Sequence, residues 1–562
     1  MARPGVKKVM AEAKAALARR QPDYATIILD EAHRKAPQDA GIAGLLADIH
    51  AAQGCFMEAI EVLARHLQTN SGSTGTAQRL SYLFSAVTPV TFATVSASGL
   101  AAALSLDRVT PEPLARAAGL LLMERGGLAG LSDDEALVGL LKAMLQAAPV
   151  TEPTLEAQLV GLRKAIILGE NTDVLDDLLP ALAYQAWLNE YIWPVSDDER
   201  AAIRNISSRT RDEATALALA LYQPPGRGIS GSLKALARVI EREAHDMARA
   251  DSNLAAGSGP VDETGKAVAG QYEDNPYPRW RWIQSPSAGA ARRLLVEMTS
   301  DAPVDLKGGW DTGQLRILIA GCGTGQQAVH AAQAYAPRVD LLAFDFSRAS
   351  LRYASMRARQ HRVSNLRFRQ ADIMALPEFD APFDGPVDLL ECVGVLHHLA
   401  DPFAGWRVLL DRLKPGGLMY MGIYSASARH ELTSYRERLA AKGIDGSNAD
   451  AMRDIRSKIL ADPADDFEKS LALSADFYTL SNLRDLLFHT HEKPVTLEQI
   501  GNFLDDEKFD FLQMDVRSDI ADAFAAEEGL GALNDINAWK RFEVGHPKAF
   551  EGMYLFWIQK PV

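Results

Sequence analysis

The chain has 562 residues, more than one hydrophobic core usually supports, so several domains are expected. Its composition, with 47% hydrophobic and 23% charged residues, is that of a globular protein. The net charge of −14 argues against a general nucleic-acid-binding protein, and no apolar run is long enough to predict a membrane span.

Cysteine usage and the N-terminus both bear on the compartment. Cys55, Cys322 and Cys392 lie far apart, so their spacing predicts neither a disulfide framework nor a zinc site. The basic N-terminus has no apolar core of the kind found in a secretory signal. We therefore expect a cytoplasmic protein with no membrane partner.

Residues 1–75 have the pattern of helical repeats. The segments PDYATIILDEAHRKAP (22–37) and GCFMEAIEVLARHLQTN (54–70) resemble second helices of tetratricopeptide repeats. The resemblance matches Tyr24 with Phe56 and Ile27 with Ala59. Because only one and a half repeat units can be recognised in the sequence, a plain helical bundle is the alternative.

Residues 76–250 are predicted to form a second helical domain. Ser132-Asp-Asp-Glu135 and Ser196-Asp-Asp-Glu199 have the pattern of capping boxes at helix starts. The aromatic-rich segment 182–194 is interpreted as a buried helix, with a partner-binding surface as the alternative. The polar, glycine-rich stretch 251–266 is predicted to be a linker.

After this linker, in residues 267–562, short apolar runs alternate with helical stretches. This rhythm predicts an α/β fold, a Rossmann-like, seven-stranded, doubly wound sheet that is mostly parallel. A helical insertion is expected at about 428–506, and the last two runs are expected to pair antiparallel at an edge. The runs are RILIA (316–320), DLLAF (340–344), LRFRQ (366–370), VDLLECVGV (387–395), LMYMGIY (418–424), FDFLQMDV (509–516) and MYLFWIQ (553–559).

The first run leads directly into a glycine-rich loop with Gly321, Gly323 and Gly325. Glycines allow a sharp turn and a close approach of a ligand to the backbone. A dinucleotide-binding fingerprint requires Gly or Ala where this chain has Gln326, and the Gly-Lys-Ser/Thr of a phosphate-binding loop is absent. A loop at this position in a doubly wound sheet is nevertheless expected to bind a ligand.

Acidic residues follow the next two strands. Asp345 ends the second strand, where a carboxylate accepts hydrogen bonds from the ribose hydroxyls of a nucleoside. Asp372 follows the third strand and, with Ile373 beside it, is placed to contact an adenine ring. The fourth run then delivers Glu391 and the pair His397 and His398.

Together these residues resemble the class I S-adenosylmethionine-dependent methyltransferases over about residues 310–425, and more loosely a bacterial group of methyltransferases that carry helical repeats. ILIAGCGTG resembles the first motif of the family, FDFS the second and ADI the third. The resemblance implies S-adenosylmethionine as cofactor, S-adenosylhomocysteine as product, and no metal. The cofactor site that it implies comprises Gly321, Cys322, Gly323, Gly325, Gln326, Asp345, Phe346, Asp372, Ile373 and Glu391.

One position departs from the family pattern. Many members carry an acid two residues before the first glycine, where this chain has Ile319. We expect another acid, Glu391, to take over the anchoring of the loop. The departure also supports an alternative, a cofactor-binding pseudoenzyme whose helices act as an adaptor.

Three residues are candidates for the transfer step. His398, and secondarily His397, are placed to act as a general base, although either imidazole can instead cap or pack the following helix. Tyr277 lies in QYEDNPYPRW (271–280), which we expect to be non-helical and to close over the cofactor; its aromatic residues can also simply pack.

The acceptor is the least determined part of the prediction. Helical repeats form concave protein-binding surfaces, which favours a protein or peptide acceptor. A small molecule held under the 428–506 insertion is the alternative, with His489 and His491 lining a lid rather than binding metal. A nucleic-acid acceptor is not expected, since ECVGV (391–395) differs from the Asn/Asp-Pro-Pro-Tyr motif. A homodimer is left open, and an oxidoreductase and a pure scaffold are less favoured classes.

Overall fold

The computed structural model describes residues 4–131, 134–170, 178–207, 213–226, 231–252, 254, 257–283, 286 and 314–561. The chain divides into two compact units. Residues 1–241, 282–284 and 449–483 form the first, here called the helical unit, and residues 242–281, 285–448 and 484–562 form the second, the sheet unit. None of the helices in the described ranges is long and apolar enough to cross a membrane.

The helical unit consists of short amphipathic helices that pack consecutively. Alanine and leucine side chains fill the core of the first four, including Ala25, Leu29 and Leu46, all 0% exposed. The α-helices are Pro4–Ala18, Pro22–Lys35, Ala40–Ala52, Phe56–Thr69, Thr74–Ala86, Ala97–Leu104, Pro111–Glu124, Glu135–Ala147, Pro153–Leu168, Leu179–Leu188, Asp197–Ser207, Glu213–Ala220, Ala449–Ala461 and Asp466–Leu473. Helices Lys234–Asp251 and Leu480–Phe488 each run from one unit into the other.

The two predicted repeat helices are present as Pro22–Lys35 and Phe56–Thr69. The predicted alignment between them was wrong, because Ile27 is 64% exposed whereas Ala59 is 0% exposed. The buried pairs are instead Ala25 with Ala59 and Leu29 with Leu63, each 34 residues apart. The burial pattern therefore gives a repeat of 34 residues. That this repeat is a tetratricopeptide repeat stays a prediction.

Of the two capping boxes predicted in the second helical region, the one at Ser196 is confirmed and the one at Ser132 is wrong, because Asp134 is the N-cap there. Glu199 N–H donates to Ser196 Oγ (3.4 Å) and Ser196 N–H to Glu199 Oε2 (2.7 Å), which forms the predicted capping box. Asp134 caps the helix at Glu135, whereas Ser132 lies outside the described residues. In the aromatic segment the helix ends at Leu188, and Trp193 is buried at 1% exposure, whereas Tyr184, Trp187 and Tyr191 are partly exposed.

The helical insertion of the methyltransferase-like region is divided between the units. Ala449–Leu483 packs with the N-terminal helices, and its Arg456 donates from Nη2 to Oε2 of Glu156 (2.7 Å). Both side chains are nearly inaccessible to solvent, at 1% and 4% exposure. The pair joins residues 300 positions apart, so these helices complete a core that begins at the N-terminus.

The sheet unit contains seven described strands in the order β3-β2-β1-β4-β5-β7-β6. Strands β1 to β5 are parallel, and β7 pairs antiparallel with both β5 and β6, which confirms the predicted sheet. The apolar runs of β1 and β4 are buried on both faces because helices cover both. The strands are β1 Leu315–Ala320, β2 Val339–Asp345, β3 Leu366–Gln370, β4 Val387–Val393, β5 Leu413–Ile423, β6 Asp510–Met514 and β7 Tyr554–Gln559.

Two hydrophobic clusters flank this sheet. One contains Leu318, Phe344 and Trp406, and the other contains Ile317, Leu341 and Leu389. Adjacent residues of β1, Ile317 and Leu318, therefore point to opposite faces, as the two-residue period of a strand requires. The helices are Glu263–Asp274, Gln326–Ala334, Arg348–Gln360, Pro402–Leu410, His430–Ala441, Leu497–Glu507, Ser518–Glu527 and Ile536–Gly545.

Two predicted boundaries differ from the structure. A helix begins at Glu263, because Asp262 accepts the N–H of Gly265 (2.6 Å), so the linker ends four residues earlier than expected. The same helix runs to Asp274, so the first part of 271–280 is helical, and the segment straightens only as Pro276 is approached.

Candidate functional site

A cavity of about 270 Å³ lies in the sheet unit, beyond the carboxyl ends of β1, β2 and β4. The strand order reverses between β1 and β4, and this is the point where doubly wound sheets bind ligands. Ten of the predicted site residues line the cavity: Gly321, Cys322, Gly323, Gln326, Asp345, Phe346, Asp372, Ile373, Tyr277 and His398. Gly325, Glu391 and His397 lie outside its lining.

The glycine loop forms the floor of the cavity. Gly321 has φ +64°, and a Cβ there would lie 2.5 Å from the side chain of Val395. Gly325 has φ +81° and begins the following helix, and its Cβ would lie 2.6 Å from Cβ of Ala354. Glycine is required at both positions by conformation and by space.

Asp345 ties this loop to the end of β2. Gly323 N–H donates to Oδ2 of Asp345 and Ser347 N–H donates to Oδ1, both at 2.8 Å. Burial nevertheless raises the pKa of Asp345 to about 6, since the backbone donors offset only part of the desolvation. The side chain lines the cavity and retains acceptor capacity for a ligand hydroxyl.

Asp372 and Ile373 form the side of the cavity that follows β3. Asp372 accepts N–H donors from Met374 and Val261, each at 2.9 Å, and thereby caps a short 3₁₀ turn at Ile373. Ile373 is 5% exposed and lines the cavity with its apolar side chain. A planar ring is accommodated beside such a pair of one acceptor and one aliphatic surface.

Glu391 lies behind the cavity lining. It neighbours Ile319 in the register of β4 and β1, so it supplies a carboxylate on the strand next to the position of the missing acid. Gln327 Nε2 donates to its Oε2 (2.7 Å), and Gln327 lines the cavity. Burial raises the pKa of Glu391, opposed by hydrogen bonds from Gln327 and Tyr335. Any effect of Glu391 on a ligand therefore passes through Gln327.

The two histidines after β4 differ in position. His398 lines the cavity, and its Nδ1 lies 3.0 Å from the carbonyl oxygen of His491. A carbonyl only accepts, so Nδ1 carries the proton and Nε2 has the free electron pair. Burial lowers the pKa of His398 to about 4, so the imidazole is neutral at neutral pH. His397 is 0% exposed and stacks on Tyr424 at 3.8 Å between ring centroids.

A wall of the cavity is formed by Tyr272, Asp485, Tyr424 and His398; Tyr272 comes from the segment 271–280 and Asp485 from the insertion, and both segments were expected near the ligand. Tyr272 OH donates to Oδ1 of Asp485 (2.9 Å) and lies 3.2 Å from Nε2 of His489. The rings of His489 and His398 stack at 3.9 Å. Tyr272, Asp485 and Tyr424 line the cavity. These residues come from segments far apart in the chain.

The segment around Tyr277 lines the cavity and packs on the glycine loop, while its closure over a cofactor stays a prediction. Tyr277 and Pro278 line the cavity. Trp280 is 3% exposed and donates from Nε1 to the carbonyl oxygen of Thr324 (3.0 Å), while Thr324 Oγ1 donates to that of Pro278 (2.6 Å). Trp280 thus fastens the segment to the glycine loop.

Two further features of the sequence, a stretch with seven arginines at 348–369 and the histidine pair at 489 and 491, have structural partners. In the basic stretch 348–369, Arg348 and Arg352 pair with Asp251 (2.6 and 3.2 Å) and Arg357 with Glu243 (3.1 Å). His491 Nε2 lies 3.2 Å from the carbonyl oxygen of Leu399. The described residues contain no group of three or more side chains placed to hold a metal ion.

A family model described as a methyltransferase domain matches residues 311–459. The matched range contains strands β1 to β5, the glycine loop and Asp345, so this part of the chain is similar to methyltransferase domains.

Several relatives share part of this region. A Synechococcus protein described as uncharacterized is 32% identical over 192 residues, covering 32% of this chain and 42% of that protein. The ubiquinone biosynthesis O-methyltransferase of Acinetobacter baylyi is 29% identical over 133 residues, covering 23% of this chain and 53% of the enzyme. The chain thus spans about half the length of the curated relatives it matches.

Among solved structures, PKMT2 from Rickettsia typhi in complex with AdoHcy is similar to this chain with a TM-score of 0.37 and 15% identity. The alignment covers 51% of this chain and 55% of that chain.

Proposed function

We propose that this chain transfers a methyl group from S-adenosylmethionine to an acceptor bound in the cavity of the sheet unit. One observation carries the proposal: Asp345, at the end of β2, holds the backbone of Gly323 and lines the same cavity as the glycine loop. The match of residues 311–459 to a methyltransferase domain supports it.

The residues present fit this cofactor. Gly321 and Gly323 line the cavity and carry no side chain, so the loop presents its backbone to the methionine part of the cofactor. Asp345 has the acceptor capacity for ribose hydroxyls, and Asp372 with Ile373 suits the adenine. Gln326, Cys322 and Phe346 complete this side of the cavity, and Glu391 acts through Gln327.

When bound, the cofactor supplies a methyl group on a positively charged sulfur. The protein's task is then to orient the acceptor and exclude water, which in favourable cases contributes about 7–11 kcal/mol. Tyr277 covers the ligand position, and the neutral His398 presents Nε2 as a hydrogen-bond acceptor. His397 holds the turn by packing on Tyr424 and lies too deep to reach an acceptor.

We infer a protein or peptide acceptor that docks on the helical unit. Support comes from the successive helices with a repeated burial pattern, since stacked helix pairs form extended binding surfaces. A small-molecule acceptor is the second candidate. It is favoured by Asp485, which the 428–506 insertion contributes to the cavity, and by the likeness to ubiquinone biosynthesis O-methyltransferases.

The test uses methyl-labelled S-adenosylmethionine, purified protein and a lysate of the source cells. Label is counted separately in precipitated protein, nucleic acid and small molecules. We expect label in a discrete protein band; label confined to small molecules would favour the second candidate. Cofactor binding without transfer to any fraction would instead establish a pseudoenzyme, in which the helices act as an adaptor.

A further inference from the structure

We infer that the group that receives the methyl is an amine, held at the cavity wall by Asp485 and Tyr272. This inference rests on the proposed methyl transfer and adds the chemical class of the acceptor. This wall comprises Asp485, Tyr272, Tyr424 and His398, which line the cavity together.

The charged side chains in the described lining are carboxylates: Asp262, Asp345, Asp372 and Asp485. Three of them hold backbone N–H groups of the cofactor half, since Asp262 caps a helix, Asp345 binds the glycine loop and Asp372 caps a 3₁₀ turn. Asp485 belongs to the wall, where Tyr272 OH donates to its Oδ1 (2.9 Å). It therefore places an acceptor, and a negative charge, beside the ligand space.

Two arginines near this wall, neither of them among the described lining residues, share one carboxylate. Arg429 and Arg436 contact Glu492 at 2.8 and 2.7 Å, and Arg436 also donates to the carbonyl oxygens of Asp485 and Leu486. An ammonium group arriving at this wall meets the Asp485 carboxylate, which attracts it. A carboxylate or phosphate acceptor would be repelled by the same lining.

The chemistry of the wall also suits a nucleophile that needs little help from a base. The ammonium first releases one proton to water. The neutral nitrogen donates an N–H to Asp485, which directs its electron pair toward the methyl group. The C–N bond forms as the C–S bond breaks, the bonding pair stays on sulfur, and the positive charge passes to the methylated nitrogen. His398, with a pKa of about 4, is a weak base and is not required to deprotonate a hydroxyl.

The bond formed in the product tests the inference. Labelled protein and small molecules from the lysate reaction are divided into two portions, one treated with mild base and the other hydrolysed in hot acid and passed over a cation exchanger. N-methyl groups survive both treatments and remain on cationic products, so we expect the label there. Label released by base as methanol, as from an ester, or recovered in neutral ethers would overturn the inference while leaving methyl transfer intact.

Variants of the wall supply a second test on the same acceptor fraction. Asp485→Asn should raise the KM for the acceptor by roughly tenfold or more, because a hydrogen bond to a charged group is lost, and leave the Kd of S-adenosylhomocysteine unchanged. The exposed Asp506→Asn, also in the sheet unit, is the matched control. An unchanged acceptor KM in Asp485→Asn would overturn the role of this carboxylate, and the absence of label with wild-type protein would overturn the proposed function itself.

Discussion

Asp345 combines a raised pKa with two hydrogen bonds from backbone N–H groups. Folding therefore favours its protonated form, and the free protein loses this contribution to stability as the pH rises from about 4 through 6. A ligand whose hydroxyls donate to the ionised carboxylate has the opposite dependence. Its affinity is full above the pKa and falls as the pH drops through it.

The pH dependence of cofactor affinity tests this account of Asp345. The Kd of S-adenosylhomocysteine should be constant above about pH 7 and rise below pH 6, approaching about tenfold per pH unit. Titration calorimetry at a series of pH values measures it. Asp345→Asn removes the titrating group, so its weaker binding should show no such rise. A Kd that varies equally in both proteins would contradict the assignment.

His489 is predicted to position His398 rather than to contact the acceptor. His491 N–H donates to Nδ1 of His489 (3.1 Å), which leaves Nε2–H to donate to Tyr272 and fixes the ring against His398. His489→Ala should admit water and move the pKa of His398 back toward 6.5, so that an acidic limb appears in the kcat profile between pH 5 and 7.

A variant that keeps an aromatic ring at position 489 is the control for that experiment. His489→Phe keeps an aromatic surface on His398 and should return the profile toward wild type, whereas a merely structural loss would leave the limb absent in both variants. His398→Ala should slow transfer and spare cofactor binding. If kcat were insensitive to His398→Ala, its placement beside the acceptor would be wrong.

The residues around the cofactor position were predictable because they follow consecutive strands. Gly321, Asp345 and Asp372 occupy strand ends that any parallel sheet brings to one edge. The contact between Asp485 and Tyr272 was not predictable, since they meet through tertiary packing of segments 213 residues apart. The sequence suggested Glu391 as the replacement acid, but it showed neither that Glu391 neighbours Ile319 in the sheet nor that Gln327 lies between Glu391 and the cavity.

At the scale of elements, the turn from β1 into the helix Gln326–Ala334 depends on Gly325. Gly325→Ala places a side chain in a left-handed conformation and against Ala354, so the sheet unit should lose about 1–3 kcal/mol of stability. Thermal unfolding and the Kd of S-adenosylhomocysteine both report it. Gly531→Ala, with nothing within 4 Å of its added Cβ, should change stability by less than about 0.5 kcal/mol. Equal effects of the two substitutions would contradict the role of the turn.

Most strands of the sheet could be predicted from the sequence, because buried parallel strands are continuous apolar runs. The run LRFRQ coincides with β3, and the others agree with their strands to within a few residues at the N-terminal end. The order of the strands within the sheet was harder to predict. The last two runs were expected to pair, but that β7 lies between β5 and β6 depends on side-chain packing across the whole sheet.

At the scale of the whole molecule, the helical unit depends on residues inserted in the methyltransferase region. Arg456→Met should leave the buried Glu156 carboxylate without its arginine partner and lower the stability of the helical unit by about 3–5 kcal/mol. Hydrogen exchange of helix Pro153–Leu168 should then accelerate. The double variant Arg456→Met, Glu156→Met should recover much of the loss, since apolar side chains replace both charges.

A surface ion pair of the same unit is the control. Arg65 and Glu61 lie 3.9 Å apart with Arg65 59% exposed, so Arg65→Met should change stability by less than about 1 kcal/mol. Unchanged exchange in Arg456→Met would contradict the view that Ala449–Leu483 completes the helical core. The sequence did not reveal this division, because the periodicity of an insertion does not identify the surface on which it packs.

The most direct test is a calorimetric titration of S-adenosylhomocysteine into the wild-type protein and into Asp345→Ala. We expect one site in the wild type, no competition by a nicotinamide dinucleotide, and at least roughly tenfold weaker binding in the variant, because a hydrogen-bonded charged group is removed. Equal affinity in the two proteins, or displacement by the nicotinamide cofactor, would contradict the assignment of this cavity.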